Sequence, residues 1–366
     1  MSPPPPSGHT WMIYGASGYT GELVAREAVR RGERPILAGR SRPAIEALGH
    51  ELGLATRICG LDDAAGLAAA LDGVAAVLHC AGPFVLTAAP MVAACLARGA
   101  HYLDITGEIA VFERHLHPRR GLGAPARDAG IAIVSGVGFD VVPTDCLAAT
   151  LAAALPDAKA LELAFAARGG SWSAGTLKTA IEALPHAGAE RREGRIVPLP
   201  AARYSREVDF GSGARLVVSI PWGDVATAWY STGIPDIRVY TAMPPAAARR
   251  LRRLRLLLPL AGLKPVKRAL QAWVARRVEG PDERTRESAH MEIWGEVRNA
   301  AGVTVSATAV TPEGYRFTAR TAVEATLRTL AGAVAPGAWT PSRAFGAGFL
   351  SELPEVVISS LRRSPG

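Results

Sequence analysis

Three glycines near the start of the chain have the spacing of a loop that binds phosphate. Gly15, Gly18 and Gly21 recur at every third residue of YGASGYTGELVA, residues 14–25, between an apolar run and a helical pattern. A strand, a glycine turn and a helix N-terminus bring backbone N–H groups and the positive end of a helix dipole to one point, which suits a pyrophosphate. We expect Gly15 to form the tight turn, Gly18 to let the phosphate approach, and Gly21 to let helix and strand pack closely. The predicted cofactor-binding residues of this loop are Gly15, Ser17, Gly18, Tyr19, Thr20 and Gly21.

The end of the second predicted strand indicates which dinucleotide binds. Sites that prefer NAD usually carry an acid there, whereas this chain has Gly39, Arg40, Ser41 and Arg42. A guanidinium and a hydroxyl can bind a 2′-phosphate, so Arg40 and Ser41 favour NADP(H), with a solvated loop arginine as the alternative. Further along, we expect Asp62 to bind the adenine amine. The break CAGPF suggests that the nicotinamide ribose lies against Cys80, Ala81, Gly82 and Pro83.

The candidate catalytic residues are Asp104, Asp140 and Lys178. Asp104 and Asp140 follow the fifth and sixth predicted strands, and open parallel sheets place their ligands at the carboxyl ends of strands. Asp104 is equally interpretable as a structural loop acid, and Glu108 as a cap for the helix that follows it. Lys178 could polarise a carbonyl or donate a proton, or it could be a solvated helix lysine.

The elements that must position these residues alternate between strand and helix up to about residue 145. Such alternation predicts right-handed crossovers and a parallel sheet, so the fold class is α/β with a Rossmann-type domain. Later segments, RLVVSIPWGD, ATAWYSTG, SAHMEIWGEVRN and VTVSATAV, have the alternation of antiparallel strands. We therefore predict an NADP-binding domain over 1–145, an α+β substrate and dimerisation domain with an antiparallel sheet over 146–310, and a C-terminal return to the first domain over 311–366.

The composition is that of a globular protein in a reducing compartment. The chain has 366 residues, 49% of them hydrophobic, and a formal net charge of +8. Four cysteines without a C-x-x-C pair predict neither a zinc site nor a disulfide framework. The first residues lack the pattern of a signal peptide, and no long uninterrupted apolar stretch occurs, so we expect a cytoplasmic protein. No motif for nucleic acid accompanies the positive charge.

Motifs along most of the chain resemble those of the saccharopine dehydrogenase-like oxidoreductases. YGASGYTGELVA, AGRS, CAGPF, ACLARGAHYLDITGE and GFDVVPTDC occur in that family's order, and GTLKTAIE, PEGYRFTARTAVEATL and WTPSRAFGAGFLSEL resemble its later segments. Reductases of N-acetyl-glutamyl-phosphate share only the glycine loop, because no cysteine here has their catalytic context. Short-chain dehydrogenases are excluded because no tyrosine is followed four residues later by a lysine.

The resemblance implies an NADPH-dependent reductase, and members that this chain resembles include bacterial trans-acting enoyl reductases. The expected reaction is hydride transfer to an activated C=C bond of an enoyl thioester. A small imine or keto acid as substrate stays open, as does an NADP(H)-binding protein without turnover. The resemblance does not make saccharopine the substrate.

A basic stretch between the later strands gives the predictions about partners. Residues 248–278 combine many arginines with LLLPLAGL, which could serve an acidic acyl-carrier protein and its acyl chain. A dimer interface and a membrane-surface helix are the alternatives. We accordingly predict a small-molecule or carrier-bound substrate, possible contact with a membrane surface, a homodimer, and no nucleic-acid partner.

Overall fold

The computed structural model describes residues 8–169, 188–255, 263–277 and 280–366, with the single positions 177, 181 and 258 between these ranges. Its strands in chain order are β1 (Trp11–Tyr14), β2 (Ile36–Gly39), β3 (Thr56–Ile58), β4 (Ala76–His79), β5 (His101–Asp104), β6 (Ala132–Ser135), β7 (Ala158–Arg168), β8 (Ala189–Arg192), β9 (Arg195–Pro198), β10 (Ser205–Asp209), β11 (Ala214–Ser219), β12 (Asp236–Ala242), β13 (His290–Asn299), β14 (Thr304–Pro312), β15 (Gly337–Trp339), β16 (Val357–Ile358) and β17 (Arg362–Ser364).

The helices in the described part of the chain are α1 (Tyr19–Arg30), α2 (Arg42–Leu52), α3 (Ala64–Ala70), α4 (Phe84–Arg98), α5 (Ile109–Leu116), α6 (Gly123–Asp128), α7 (Val142–Ala154), α8 (Asp224–Thr232), α9 (Pro245–Leu254), α10 (Lys264–Arg277), α11 (Glu283–Ser288), α12 (Gly314–Leu330), α13 (Pro341–Phe345) and α14 (Phe349–Glu352). Among these residues, no helix has both the length and the apolar character needed to cross a membrane.

The described residues divide into two compact units. The first lies within Met1–Asp140 and Tyr315–Phe345, and the second within Val141–Gly314 and Gly346–Gly366. The C-terminal segment 311–366 therefore does not return to the first unit as one piece. Its last part joins the second unit because β16 and β17 both pair with β14, which corrects the predicted boundary.

The first unit is built on a fully parallel sheet of seven strands in the order β15-β6-β5-β4-β1-β2-β3, which confirms the predicted Rossmann-type α/β class. The four strands β1, β2, β4 and β6 are short and fully buried, as expected when helices cover both faces. The strand order reverses between β1 and β4, and this is the point where such sheets bind their ligands.

Helix α12, which comes from the far end of the sequence, is part of this first unit. The Thr321 hydroxyl donates to the Val137 carbonyl over 2.8 Å, and the Phe139 N–H donates to the Thr318 hydroxyl over 2.9 Å. Both bonds hold the segment that follows β6. The helix begins at Gly314, so the whole of GYRFTA is helical.

The second unit contains a ten-stranded sheet with the main order β10-β11-β12-β7-β13-β14-β16. It is a mixed sheet and not the antiparallel one predicted, because β7 and β12 run parallel. Helix α7 packs on β13 at Gly295, where an added Cβ would lie 2.8 Å from Leu151 Cδ1. The segment ATAWYSTG belongs to α8 and is not a strand. Its buried residues Val225 and Ala228 have helical spacing, and Gly233 ends the helix in a left-handed conformation with φ 73°.

Candidate functional site

The glycine loop leaves β1 and enters α1 with the geometry of an anion site. Gly15 has φ 81°, which only glycine adopts readily, and its N–H donates to the Ala38 carbonyl over 2.8 Å. Gly18 is the residue that precedes α1, and no side chain in the described part of the chain caps that helix. Ser17 and Gly18 are exposed, whereas Tyr19 and Thr20 are half-buried. The first turn of α1 can therefore offer its N–H groups to a bound phosphate.

Close packing explains why two positions of this loop must be glycine. A Cβ on Gly21 would lie 2.2 Å from the Gly15 carbonyl oxygen, so helix α1 could not stay so close to the turn. A Cβ on Gly15 would lie 2.8 Å from Ala81 Cβ and 2.9 Å from the Ala81 nitrogen. The glycine loop therefore touches the loop that follows β4, at the reversal of strand order.

At the end of β2, Arg40 and Ser41 are both exposed. Within the described residues, the Arg40 guanidinium has no hydrogen-bond or ion-pair partner. Its neighbour Arg42, in contrast, donates to Glu46 Oε1 over 2.8 Å. Ser41 precedes α2, yet its hydroxyl does not cap that helix. Arg40 and Ser41 thus keep their donors available for a ligand phosphate.

The Tyr14 hydroxyl lies within electrostatic range of Arg40 and of Asp62, the residue predicted to bind adenine. The pKa of Tyr14 is raised to about 12, chiefly by burial; the nearby Cys59 and Asp62 also raise it, and Arg40 lowers it. The hydroxyl donates to the Cys59 carbonyl over 3.1 Å. Asp62 is exposed and folds back over Gly60, where an added Cβ would lie 2.4 Å from Asp62 Oδ1. Arg40 and Asp62 therefore both lie close enough to the Tyr14 hydroxyl to shift its pKa.

The loop Cys80 to Pro83 is closed by a carboxylate from another strand. The Cys80 N–H donates to the Tyr14 carbonyl over 2.8 Å, and the Gly82–Pro83 peptide is cis. Glu108 accepts from the N–H groups of Phe84 and Val85, both over 2.7 Å.

Glu108 therefore caps α4, and its side chain makes no capping hydrogen bond to α5, the alternative that the sequence suggested. No local sequence pattern indicates this contact, because Glu108 follows β5 whereas Phe84 and Val85 follow β4. A carboxylate at this helix N-terminus disfavours a bound anion there and leaves room for an uncharged group. Burial also raises the pKa of the Cys80 thiol, so the thiol stays protonated.

Asp104 is fully buried and ties two loops together. Its Oδ1 accepts from the N–H groups of Thr106 over 3.1 Å and Gly136 over 2.9 Å, and its Oδ2 accepts from the Ser135 hydroxyl over 3.2 Å. His115 Nδ1 lies 2.7 Å from the Ser135 oxygen. Burial raises the pKa of Asp104 to about 6, although these hydrogen bonds favour the charged form. This geometry favours the structural interpretation of Asp104.

Asp140 is the carboxyl at this edge that has the properties of a proton donor. It is half-buried and follows β6, and a Cβ on Gly107 would lie 2.7 Å from its Oδ2. The pKa of Asp140 is raised to about 7, chiefly by burial and secondly by the charge of Glu108. A group with such a pKa is charged in part and protonated in part at neutral pH, which is what general acid–base catalysis needs.

Two further predictions are limited by what the structure describes. Lys178 lies outside the described residues. In the part of the chain that is described, no group of three or more His, Cys, Asp or Glu side chains is arranged to hold a metal ion. The residues that sequence reasoning missed, Glu108 as a cap of α4 and the pair His115 and Ser135, lack any local motif.

Comparison with known proteins agrees with this geometry. Residues 11–134 match the family model described as the saccharopine dehydrogenase NADP binding domain. A Mycobacterium tuberculosis protein that carries the name of a trans-acting enoyl reductase is 34% identical over 191 residues, which cover 47% of this chain and 43% of that protein. The human saccharopine dehydrogenase-like oxidoreductase is 29% identical over 158 residues, which cover 37% of this chain and 35% of that protein. The chain thus spans less than half the length of these curated relatives.

A solved structure extends the likeness to both units. Ligand-free saccharopine dehydrogenase (L-Glu forming) from Saccharomyces cerevisiae matches with a TM-score of 0.67 and covers 98% of this chain and 100% of its own. The sequences are only 13% identical, so this match shows the fold alone.

Proposed function

We propose that the whole chain is an NADPH-dependent reductase, because residues 11–134 match the family model of the saccharopine dehydrogenase NADP binding domain. The single observation that carries the proposal is the loop from Gly15 to Gly21, which opens α1 without a side-chain cap beside exposed Arg40 and Ser41. The first feature suits the pyrophosphate, and the second suits the 2′-phosphate. NADPH supplies a hydride when bound.

The chain's own residues would then divide the remaining tasks. Glu108 holds the turn from Cys80 to Pro83 by its two bonds to α4, so the wall of the nicotinamide site stays in place. Asp104 holds the loops after β5 and β6 in register. Asp140 keeps a proton near neutral pH and delivers it to the atom that becomes negative after hydride transfer.

We propose an enoyl thioester as the hydride acceptor. Reduction of an activated C=C bond asks little of the protein beyond alignment and a group that neutralises the developing negative charge. One partly protonated carboxyl such as Asp140 meets that need, and the name of the mycobacterial relative supports this substrate class. The role proposed for Lys178, polarisation of the thioester carbonyl, rests on the sequence only.

The test is a deuterium-transfer assay with the purified full-length chain. NADPH deuterated on the transferring face of the nicotinamide ring is mixed with a crotonyl thioester, a small keto acid or a cyclic imine, and each product is analysed by mass spectrometry. We expect deuterium in the saturated thioester. Deuterium only in the reduced keto acid or imine would assign the other substrate class. NADPH binding without deuterium in any product would leave a binding protein without turnover.

A further inference from the structure

Helix α10 turns an apolar face outward. Its exposed residues Pro265, Val266, Ala269, Ala272 and Trp273 follow the spacing i, i+1, i+4, i+7 and i+8, which places them on one side of the helix. Val266 is 39% exposed, Trp273 is 58% exposed, and Leu263 just before the helix is 53% exposed. The polar residues Lys267 and Gln271 are half-buried instead. This is the reverse of an ordinary surface helix, whose exposed face is polar.

The segment that carries this face is strongly basic. Residues 245–278 contain no acidic residue and ten basic ones, namely Arg249, Arg250, Arg252, Arg253, Arg255, Lys264, Lys267, Arg268, Arg276 and Arg277. Arg268 and Arg277 are exposed at the two borders of the apolar face. On α9, Arg252 donates to the Ala202 carbonyl and the Ser205 hydroxyl, whereas Arg249, Arg250 and Arg253 are exposed and have no ion pair within the described residues.

We propose that α9 and α10 form a docking surface for an anionic lipid bilayer, a property that goes beyond the proposed reductase activity. The apolar face of α10 needs a non-aqueous phase, and the exposed arginines of α9 and α10 need anions; the headgroup region of an anionic bilayer supplies both together. With 14 residues, α10 is about 21 Å long. It is therefore too short to span the hydrocarbon layer and lies in the plane of the interface. An acidic protein would match the arginines but would leave the indole of Trp273 in water.

The test is vesicle flotation with the full-length protein. Vesicles contain either phosphatidylcholine alone or equal parts of phosphatidylcholine and phosphatidylglycerol. We expect binding to the mixed vesicles at low salt, loss of binding at high salt, and no binding to the neutral vesicles. Trp273→Ser should weaken partitioning about tenfold, and so should the double change of Arg249 and Arg253 to Ser.

Matched variants separate this surface from general hydrophobicity and charge. Val357→Ser removes a side chain that is 66% exposed on β16, and Arg362→Ser with Arg363→Ser removes two exposed charges from β17. Both should bind vesicles like the unchanged protein, and Trp273→Ser should keep its circular dichroism and its deuterium transfer to the thioester.

Four results would overturn the proposal. Equal binding to neutral and anionic vesicles, or equal losses in the matched variants, would remove the role of this surface. A dimer that dissociates in Trp273→Ser, without vesicle binding, would assign the face to a second copy of the chain. Salt-sensitive binding to an acyl-carrier protein through Arg249 and Arg253, without vesicle binding, would assign it to the carrier.

Discussion

Replacing Glu108 with glutamine should weaken the fold and shift the pH dependence of the reaction in one step. The carboxylate accepts from the N–H groups of Phe84 and Val85, both over 2.7 Å, and stands at the positive end of α4. A glutamine has one acceptor oxygen, and its NH₂ group faces the second N–H. One charge-assisted bond is lost and the other becomes neutral.

The size of the loss follows from these contacts. A hydrogen bond to a charged group contributes about 1.5–3 kcal/mol, and the charge at the helix terminus adds about 0.3–1 kcal/mol. The neutral bond to glutamine recovers about 1 kcal/mol. Glu108→Gln should therefore lower the free energy of unfolding by about 2–6 kcal/mol, measured by urea denaturation. Glu46→Gln is the matched control: its partner Arg42 lies four residues earlier on the same exposed helix face, so about 0.5 kcal/mol or less is expected.

The same change should lower the pKa of Asp140. Burial is the main reason that this pKa is about 7, and the negative charge of Glu108 is the second. In the proposed mechanism the reduction needs Asp140 protonated, so kcat/KM should fall as the pH rises through this pKa. In Glu108→Gln that fall should begin at a lower pH. An unchanged free energy of unfolding would refute the cap, and an unchanged pH profile would refute the electrostatic link between the two carboxyls.

Three further predictions concern the cofactor and the proton donor. Arg40→Ala should weaken NADPH binding about tenfold and leave NADH binding unchanged in a fluorescence titration, because only NADPH carries the 2′-phosphate. Arg42→Ala should change neither affinity. Equal weakening of both cofactors by Arg40→Ala would contradict the assignment. Asp140→Asn should lower kcat about a hundredfold and abolish the fall of kcat/KM near pH 7, while NADPH affinity stays the same; a retained pH profile would exclude Asp140. Gly21→Ala puts a Cβ 2.2 Å from the Gly15 carbonyl oxygen, so NADPH affinity in the same titration should fall more than tenfold, and unchanged affinity would mean that the turn adapts.

The sequence predicted the parts of the fold that local pattern determines. Alternating strands and helices gave the parallel sheet, and Gly15 has the positive φ that its place in the motif required. Arg40 and Ser41 could be singled out because they stand next to a strand end whose position the pattern fixes. In each case the signal lies within a few residues of the element concerned.

What the sequence could not predict depends on contacts between distant segments. Nothing near Glu108 indicates that its carboxylate reaches back to α4, and His115 meets Ser135 only because α5 packs beside β6. The segment of α8 has an alternation of apolar and polar residues that is compatible with a strand. It is helical because the helix buries its apolar residues against the second sheet. Likewise, no local pattern indicates that β16 and β17, near the end of the chain, pair with β14.

The position of β15 beside β6 has a consequence for how the protein is made. β6 ends at Ser135, and its neighbour β15 does not begin until Gly337, so a ribosome must add about 200 residues before the pair can form. At the usual rates of synthesis this takes about 10–40 s. Throughout that time the nascent chain carries an open strand edge, the kind of edge at which other chains add and aggregate. A fragment that ends at Asp140 would carry the same open edge permanently. A fragment in which a linker joins Asp140 to residues 315–345 would not, because it contains β15.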